Sequence, residues 1–137
     1  MSSEHINLTD RQLAGVRQIL AGDKRIVAAY LLGSVLTERF RPDSDVDLAI
    51  LPAAGVEFAM EARLLLAAEV EGAVGRTVDV GVLDHRNLVY AAQAIATGLC
   101  IHSRDDASRD VFAATTLSMY AALRQEREAV EHAYTTR

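Results

Sequence analysis

Two short patterns in the chain have the residue types and the spacing to do chemistry. Gly33-Ser34 ends an apolar run, Ile26 to Leu32, and ten residues further on Asp45-Val46-Asp47 opens another, Val46 to Leu51. Carboxylates at i and i+2 of a strand point to one face, because successive side chains alternate. Two like charges side by side on a largely apolar strand need a metal ion, a shared proton or water. Magnesium takes hard oxygen ligands, usually a few carboxylates completed by substrate phosphates. A third carboxylate from a neighbouring strand would close such a site, and Asp79, within Thr77 to Leu83, is placed for it. A lone aspartate buried between Val78 and Val80 would otherwise be costly. The plain alternative, exposed charges on edge strands, leaves the fixed distance to Gly33-Ser34 unexplained.

Glycine lets a backbone approach a phosphate, Ser34 adds a hydroxyl, and a helix starting after it would turn free N–H groups toward an anion. Alone, a Gly-Ser at a strand–helix junction is an ordinary turn; together with the aspartates it marks a nucleoside triphosphate site. No Walker A pattern is present, so the chain is not a P-loop NTPase. Asp43, Asp45 and Asp47 imitate the start of a calcium loop, but Leu48 and Ala54 stand where that loop needs Gly and Glu. Arg39 and Arg41 lie between the two patterns and either reach the triphosphate or remain solvated on a surface turn. Arg63 and Arg76 are further cations. The four histidines have no metal-ligand spacing, and no Ser-His-Asp or Cys-His arrangement stands out.

The pattern G-S-x10-D-x-D with a later strand aspartate resembles the DNA polymerase β-like nucleotidyltransferase superfamily. The short length and single final helix are similar to its minimal branch, the MntA-type antitoxins. The resemblance implies that Gly33 and Ser34 hold the triphosphate, with Asp45, Asp47 and Asp79 holding magnesium, two ions in all. It further implies that Asp79 helps activate the attacking hydroxyl; Asp84, in VGVLDH, is the other candidate but reads as loop. The implied reaction is transfer of AMP from ATP to a tyrosine hydroxyl of a cognate HEPN-domain toxin, which silences it. Two other readings stay open: a small-molecule nucleotidyltransferase completed by dimerisation, and an antitoxin that neutralises by binding alone. Oligomers with the toxin or with itself are compatible with each.

These residues need a scaffold. Thr9-Asp10-Arg11-Gln12 resembles a capping box opening a helix with Leu13, Val16 and Leu20 on one face, closed by Gly22. Strands are expected at Ile26 to Leu32, Val46 to Leu51, Thr77 to Leu83 and Leu99 to His102. Helices are expected from Val35 to Phe40, from Val56 to Val74 with Phe58, Ala62, Leu65 and Glu69 aligned, and from Asn87 as cap to Thr97. A final amphipathic helix spans Ala107 to Tyr134, with Phe112, Thr116, Met119, Leu123 and Val130 on one face. Arg41 to Ser44 reads as a turn. This order implies an α/β or α+β layer fold, a mixed sheet flanked by helices, of the polymerase β-like type by resemblance.

The 137 residues are expected to form a single domain, 1–137, with no internal linker. Half of them are apolar, 24% are charged and the net charge is -5, which argues against nucleic-acid binding through a broad basic face. A single Cys100 fits a reducing compartment. The polar start MSSEHINLTD is unlike a signal peptide, and no apolar run reaches the ~18 residues of a membrane span. A cytoplasmic protein is expected. Near the end, Arg127 to Tyr134 spells R-x4-H-x-Y, which resembles a HEPN ribonuclease motif. Residues i and i+5 of a straight helix lie about 140° apart, so the segment reads as a solvated face with i,i+4 pairs Arg124–Glu128 and Arg127–Glu131.

Overall fold

A computed structural model describes residues 5–135; the first four residues of the polar N-terminal segment lie outside the described residues. The capping box forms as expected: Thr9 caps α1 (Asp10–Ala21), its hydroxyl accepting from the Gln12 N–H while the Gln12 amide takes the Thr9 N–H. Val16 and Leu20 are buried, and Gly22 ends the helix. The strands are β1 (Ile26–Leu32), β2 (Val46–Pro52), β3 (Val78–Val82) and β4 (Leu99–Ser103), ordered β3-β2-β1-β4. β1 is antiparallel to β2 and β4, and β2 is parallel to β3, so the sheet is mixed.

Alternation divides the sheet into two faces. Leu48, Ile50, Val78 and Val80 pack under α1 and α2 (Met60–Val74), with Leu66 and Val70 of α2 in the same cluster. Ala28, Ala49 and Leu83 face the other way, toward Ala91 and Ala94 of α3 (Leu88–Thr97). The four alanines let α3 sit close to the strands, and Tyr30, Leu51 and Leu83 belong to the same cluster. α4 (Asp106–Thr135) packs beside α3; Phe112 stacks on His85 with ring centroids 4.4 Å apart, and His85 Nε2 is 2.8 Å from the buried Thr116 hydroxyl.

Several local expectations are corrected. The helix expected at Val35 to Phe40 is a 3-10 turn, Gly33–Leu36. Thr37 is extended and takes over the end of the turn: its N–H and its hydroxyl both donate to the Ser34 carbonyl, and its hydroxyl accepts from the Arg39 N–H. α2 begins at Met60 rather than Val56, because Phe58 turns into the core under the Arg25 guanidinium, 4.6 Å from its ring centre. The buried side of α2 is Leu66, Ala67, Val70 and Val74, while Leu65 is exposed. Three leucines in a row give no unique stripe to read. Asn87 precedes α3 without a side-chain cap bond; Asp84 instead caps the short 3-10 turn His85–Asn87 through the Arg86 N–H. On α4 the expected face is covered only over its first half: Met119 and Val130 are exposed. Arg124 and Glu128 approach to 3.9 Å, but Arg127 makes no ion pair with Glu131.

The turn at Arg41 to Ser44 is held by Arg76, whose Nη1 donates to the carbonyls of Arg41, Pro42 and Ser44 at 2.6, 3.0 and 3.3 Å. Its guanidinium also lies over the Phe40 ring at 4.0 Å. Charged hydrogen bonds to carbonyls and a cation–π contact together make Arg76→Ala cost about 2 kcal/mol. Urea denaturation should report that loss, with faster exchange at the Ser44 amide; unchanged stability and exchange would show that the turn holds itself.

Candidate active site

The strand alternation that builds the core also selects the site. With Val46, Leu48, Val78 and Val80 facing α1 and α2, Asp47 and Asp79 must face α3, as must Asp45, which continues the alternation one residue before β2. The parallel register sets Asp47 directly beside Asp79, and the antiparallel register sets it beside Leu32, the last residue before Gly33. Gly33 has φ +74°, and a Cβ built on it would stand 2.8 Å from Asp47 Oδ2. The glycine is therefore required twice, for its left-handed backbone and for the carboxylate beside it.

Asp47 is half-buried, whereas Asp45 and Asp79 are exposed, which corrects the burial expected of Asp79; none of the three hydrogen-bonds or ion-pairs with a described residue. Burial first, then the charges of Asp79 and Asp45, push the Asp47 carboxyl above the usual carboxylate range. As the side chains stand, no three Asp, Glu, His or Cys among the described residues converge tightly enough to enclose an ion. The donor set nonetheless suits a hard divalent cation: carboxylate oxygens only, repelling one another and without competing donors. Asp84 has other work, bound by the Arg86 guanidinium at 2.7 and 3.0 Å, which holds its carboxyl below the ordinary range.

The edge strand carrying Asp79 is fixed from α2. Glu71 accepts the Val78 N–H at 3.0 Å and Arg63 Nε donates to the Val80 carbonyl at 3.0 Å. Arg63 and Arg76 are thus engaged with backbone. The Gly33 turn is fixed from the N-terminal segment: Asn7 donates its backbone N–H to Val35 O at 2.8 Å, and its amide to Val35 O and Thr37 O at 3.0 and 2.6 Å. Ser34, Arg39 and Gly33 line a cavity of about 450 Å³ that also reaches Thr37 and Thr97. Arg41 is exposed and does not border that cavity. A groove of about 470 Å³ beside Arg76 holds none of the three aspartates.

Tyr90 has no signal in the sequence pattern. Its hydroxyl lies over Gly81, where a Cβ would come within 2.0 Å of it. Burial, and then the charges of Asp79 and Asp47, hold its phenol above the usual value, so it stays protonated.

The crowding at Asp47 sets a pH dependence. Its raised native pKa means that the folded state keeps this proton more tightly than the unfolded chain. Without metal, its contribution to stability therefore falls as pH rises from about 4 through the raised value. Asp23 and Asp84, lowered first by hydrogen bonds from Arg25 and Arg86, act oppositely and below that window. Asp47→Asn should melt higher than the wild type at pH 7 without metal, and the difference should shrink near pH 4. A variant that melts lower throughout would show that the carboxylates do not repel.

Comparisons with known proteins fit this geometry. The family described as "Polymerase beta, Nucleotidyltransferase" matches residues 15–107. No curated protein sequence matches significantly. Among solved structures, a chain of the toxin–antitoxin crystallised with AMP-PNP superposes with TM-score 0.72 at 26% identity, covering 90% of this chain and 98% of that one. A chain from the tri-AMPylated Shewanella oneidensis HEPN toxin in complex with MNT antitoxin gives 0.68 at 26%, covering 90% and 96%. A chain of the MntA–HepT toxin–antitoxin, at 24% identity and TM-score 0.69 over 93% and 99%, shares the fold. With the family match spanning most of the chain, from α1 through the three aspartates to β4, the protein belongs to the polymerase β nucleotidyltransferase family.

Proposed function

We propose that this protein is an antitoxin that transfers AMP from ATP to a tyrosine hydroxyl of a cognate HEPN-domain toxin. The observation that carries the proposal is the Asp47 carboxylate, unpartnered, set against the Gly33 turn and beside Asp79. The tri-AMPylated toxin in one similar complex and the AMP-PNP in another support the acceptor and donor classes.

The Gly33 turn and the Ser34 hydroxyl, which makes no side-chain hydrogen bond to a described residue, receive the β- and γ-phosphates, with Arg39 supplying positive charge in the same cavity. Asp45, Asp47 and Asp79 would hold two magnesium ions. Magnesium bound there supplies charge neutralisation of the phosphates and a lowered pKa for the acceptor hydroxyl. Asp79, exposed on the edge strand, takes the proton of the acceptor hydroxyl as its oxygen attacks the α-phosphorus. The new O–P bond forms as the bond to the bridging oxygen breaks, and pyrophosphate leaves toward Ser34 and Arg39. Most of the acceleration is positioning and electrostatics. The chain works as one domain in the cytoplasm, a reading supported by its single cysteine and by the lack, among the described residues, of a helix long and apolar enough to cross a membrane.

The decisive test is incubation with ATP, magnesium and a HEPN-domain toxin, taken from a neighbouring gene where one is found, followed by intact mass. A gain of one or more AMP units on the toxin is expected, with none for Asp45→Asn/Asp47→Asn. A toxin neutralised without mass gain, equally well by the double variant, would refute enzymatic silencing in favour of binding alone.

Magnesium with ATP at a hundred times its Kd should add about 2.7 kcal/mol to stability. The melting temperature should rise accordingly; no shift at millimolar concentration would mean that the site does not take nucleotide.

A further inference from the structure

A second cavity, of about 260 Å³, opens on the other side of the Gly33 turn. Gly33 and Asp47 form one wall, and Tyr90, Gln93 and Thr97 form the other. Spacings of three and four place these three residues on one face of α3. The cavity shares Gly33 and Thr97 with the Ser34–Arg39 cavity, so the two are neighbours across the turn.

The order along α3 carries the argument. Thr97 lies at the Gly33 end, and Tyr90 lies over Gly81 at the far end. On the sheet, the pair Ala49–Gly81 lies two residues past Asp47–Asp79, with Leu48–Val80 between them facing the other way. The Tyr90 hydroxyl is therefore over the next pair on the same face as the carboxylates, two residues further along the strands. A nucleotide with its terminal phosphates at Ser34 and its α-phosphorus at Asp47 must send its sugar next into this cavity. Asp79 does not line it and is exposed on the edge strand, so a protein acceptor can approach from outside. The Tyr90 hydroxyl and the Gln93 amide make no hydrogen bond to a described residue, whereas the Thr97 hydroxyl already donates to the Gln93 carbonyl at 2.7 Å.

We propose that the α3 face is the nucleoside pocket and that Tyr90, seated on Gly81, reads a ribose hydroxyl of the donor nucleotide, with Gln93 beside it. This rests on the nucleotide-transfer reading above and adds to it a preference for ribonucleotides set by a single phenol. Gly81 is part of the device: any side chain there would displace the hydroxyl from its seat.

Calorimetry with a non-hydrolysable ATP analogue and its 2′-deoxy and 3′-deoxy forms tests it without turnover. Tyr90→Phe keeps the ring over Gly81, so the melting temperature should hold. The ribonucleotide should bind roughly three- to tenfold more weakly, as for one lost hydrogen bond. For the deoxy form lacking the contacted hydroxyl, wild type and variant should bind alike. Equal weakening of all three analogues, or no weakening of any, overturns the ribose assignment while leaving the nucleotide site standing. Failure of the wild type to bind any of them overturns the transfer reading itself. Gln93→Ala is the second variant, expected to weaken the ribonucleotide while Tyr90 stays in place; unchanged affinity would remove Gln93 from the pocket.

Discussion

The structure depends on a repulsion that it does not relieve by itself. Two aspartates stand in register on adjacent strands about 5 Å apart and repel, a repulsion that water at the exposed Asp79 weakens. The same two strands bury Val46, Leu48, Ile50, Val78 and Val80 on the opposite face. Each such burial contributes about 1.5–3 kcal/mol, so the core wins easily and the carboxylates are held together against their preference. Glu71 and Arg63 prevent the obvious escape, a slip of the edge strand, by binding the backbone on either side of Asp79.

The two faces of the sheet divide the labour. The α1–α2 side carries large aliphatic residues and supplies stability. The α3 side mixes Ala28, Ala49, Ala91 and Ala94 with Tyr30, Leu51 and Leu83 and holds the carboxylates and the cavities around Gly33. Glycine is required at two points there by contact: a side chain at Gly81 would evict Tyr90, and one at Gly98 would strike the Ala94 carbonyl and Leu32.

Much of this was legible in the sequence because it is local or strictly periodic. The Thr9–Gln12 box, the four strands, the Gly22 and Gly98 stops and the shared face of Asp45, Asp47 and Asp79 follow from caps and from alternation. The start of α2 was not legible, since its run of leucines fits several stripes and Phe58 is drawn into the core by contacts distant in sequence. Nor could the 3-10 turn after Gly33 be foreseen, because Thr37 and Asn7 close it with side-chain bonds that no periodicity encodes. Arg63 and Arg76 read as free cations until partner carbonyls appear. Tyr90 is invisible for a similar reason: its importance lies in a contact with Gly81, across a helix–strand interface.

α4 has a consequence of another kind. From Arg124 to the last described turn every residue is exposed, so burial contributes little to about twelve residues of helix. Isolated helices of that length are marginal in water, since nucleation is costly and only propagation is favourable. These turns are helical because His85 and Thr116 anchor the earlier part and provide the nucleus. Helix–coil cooperativity thus links the far end of the chain to a histidine next to Asp84, and loosening that anchor would fray the tip first.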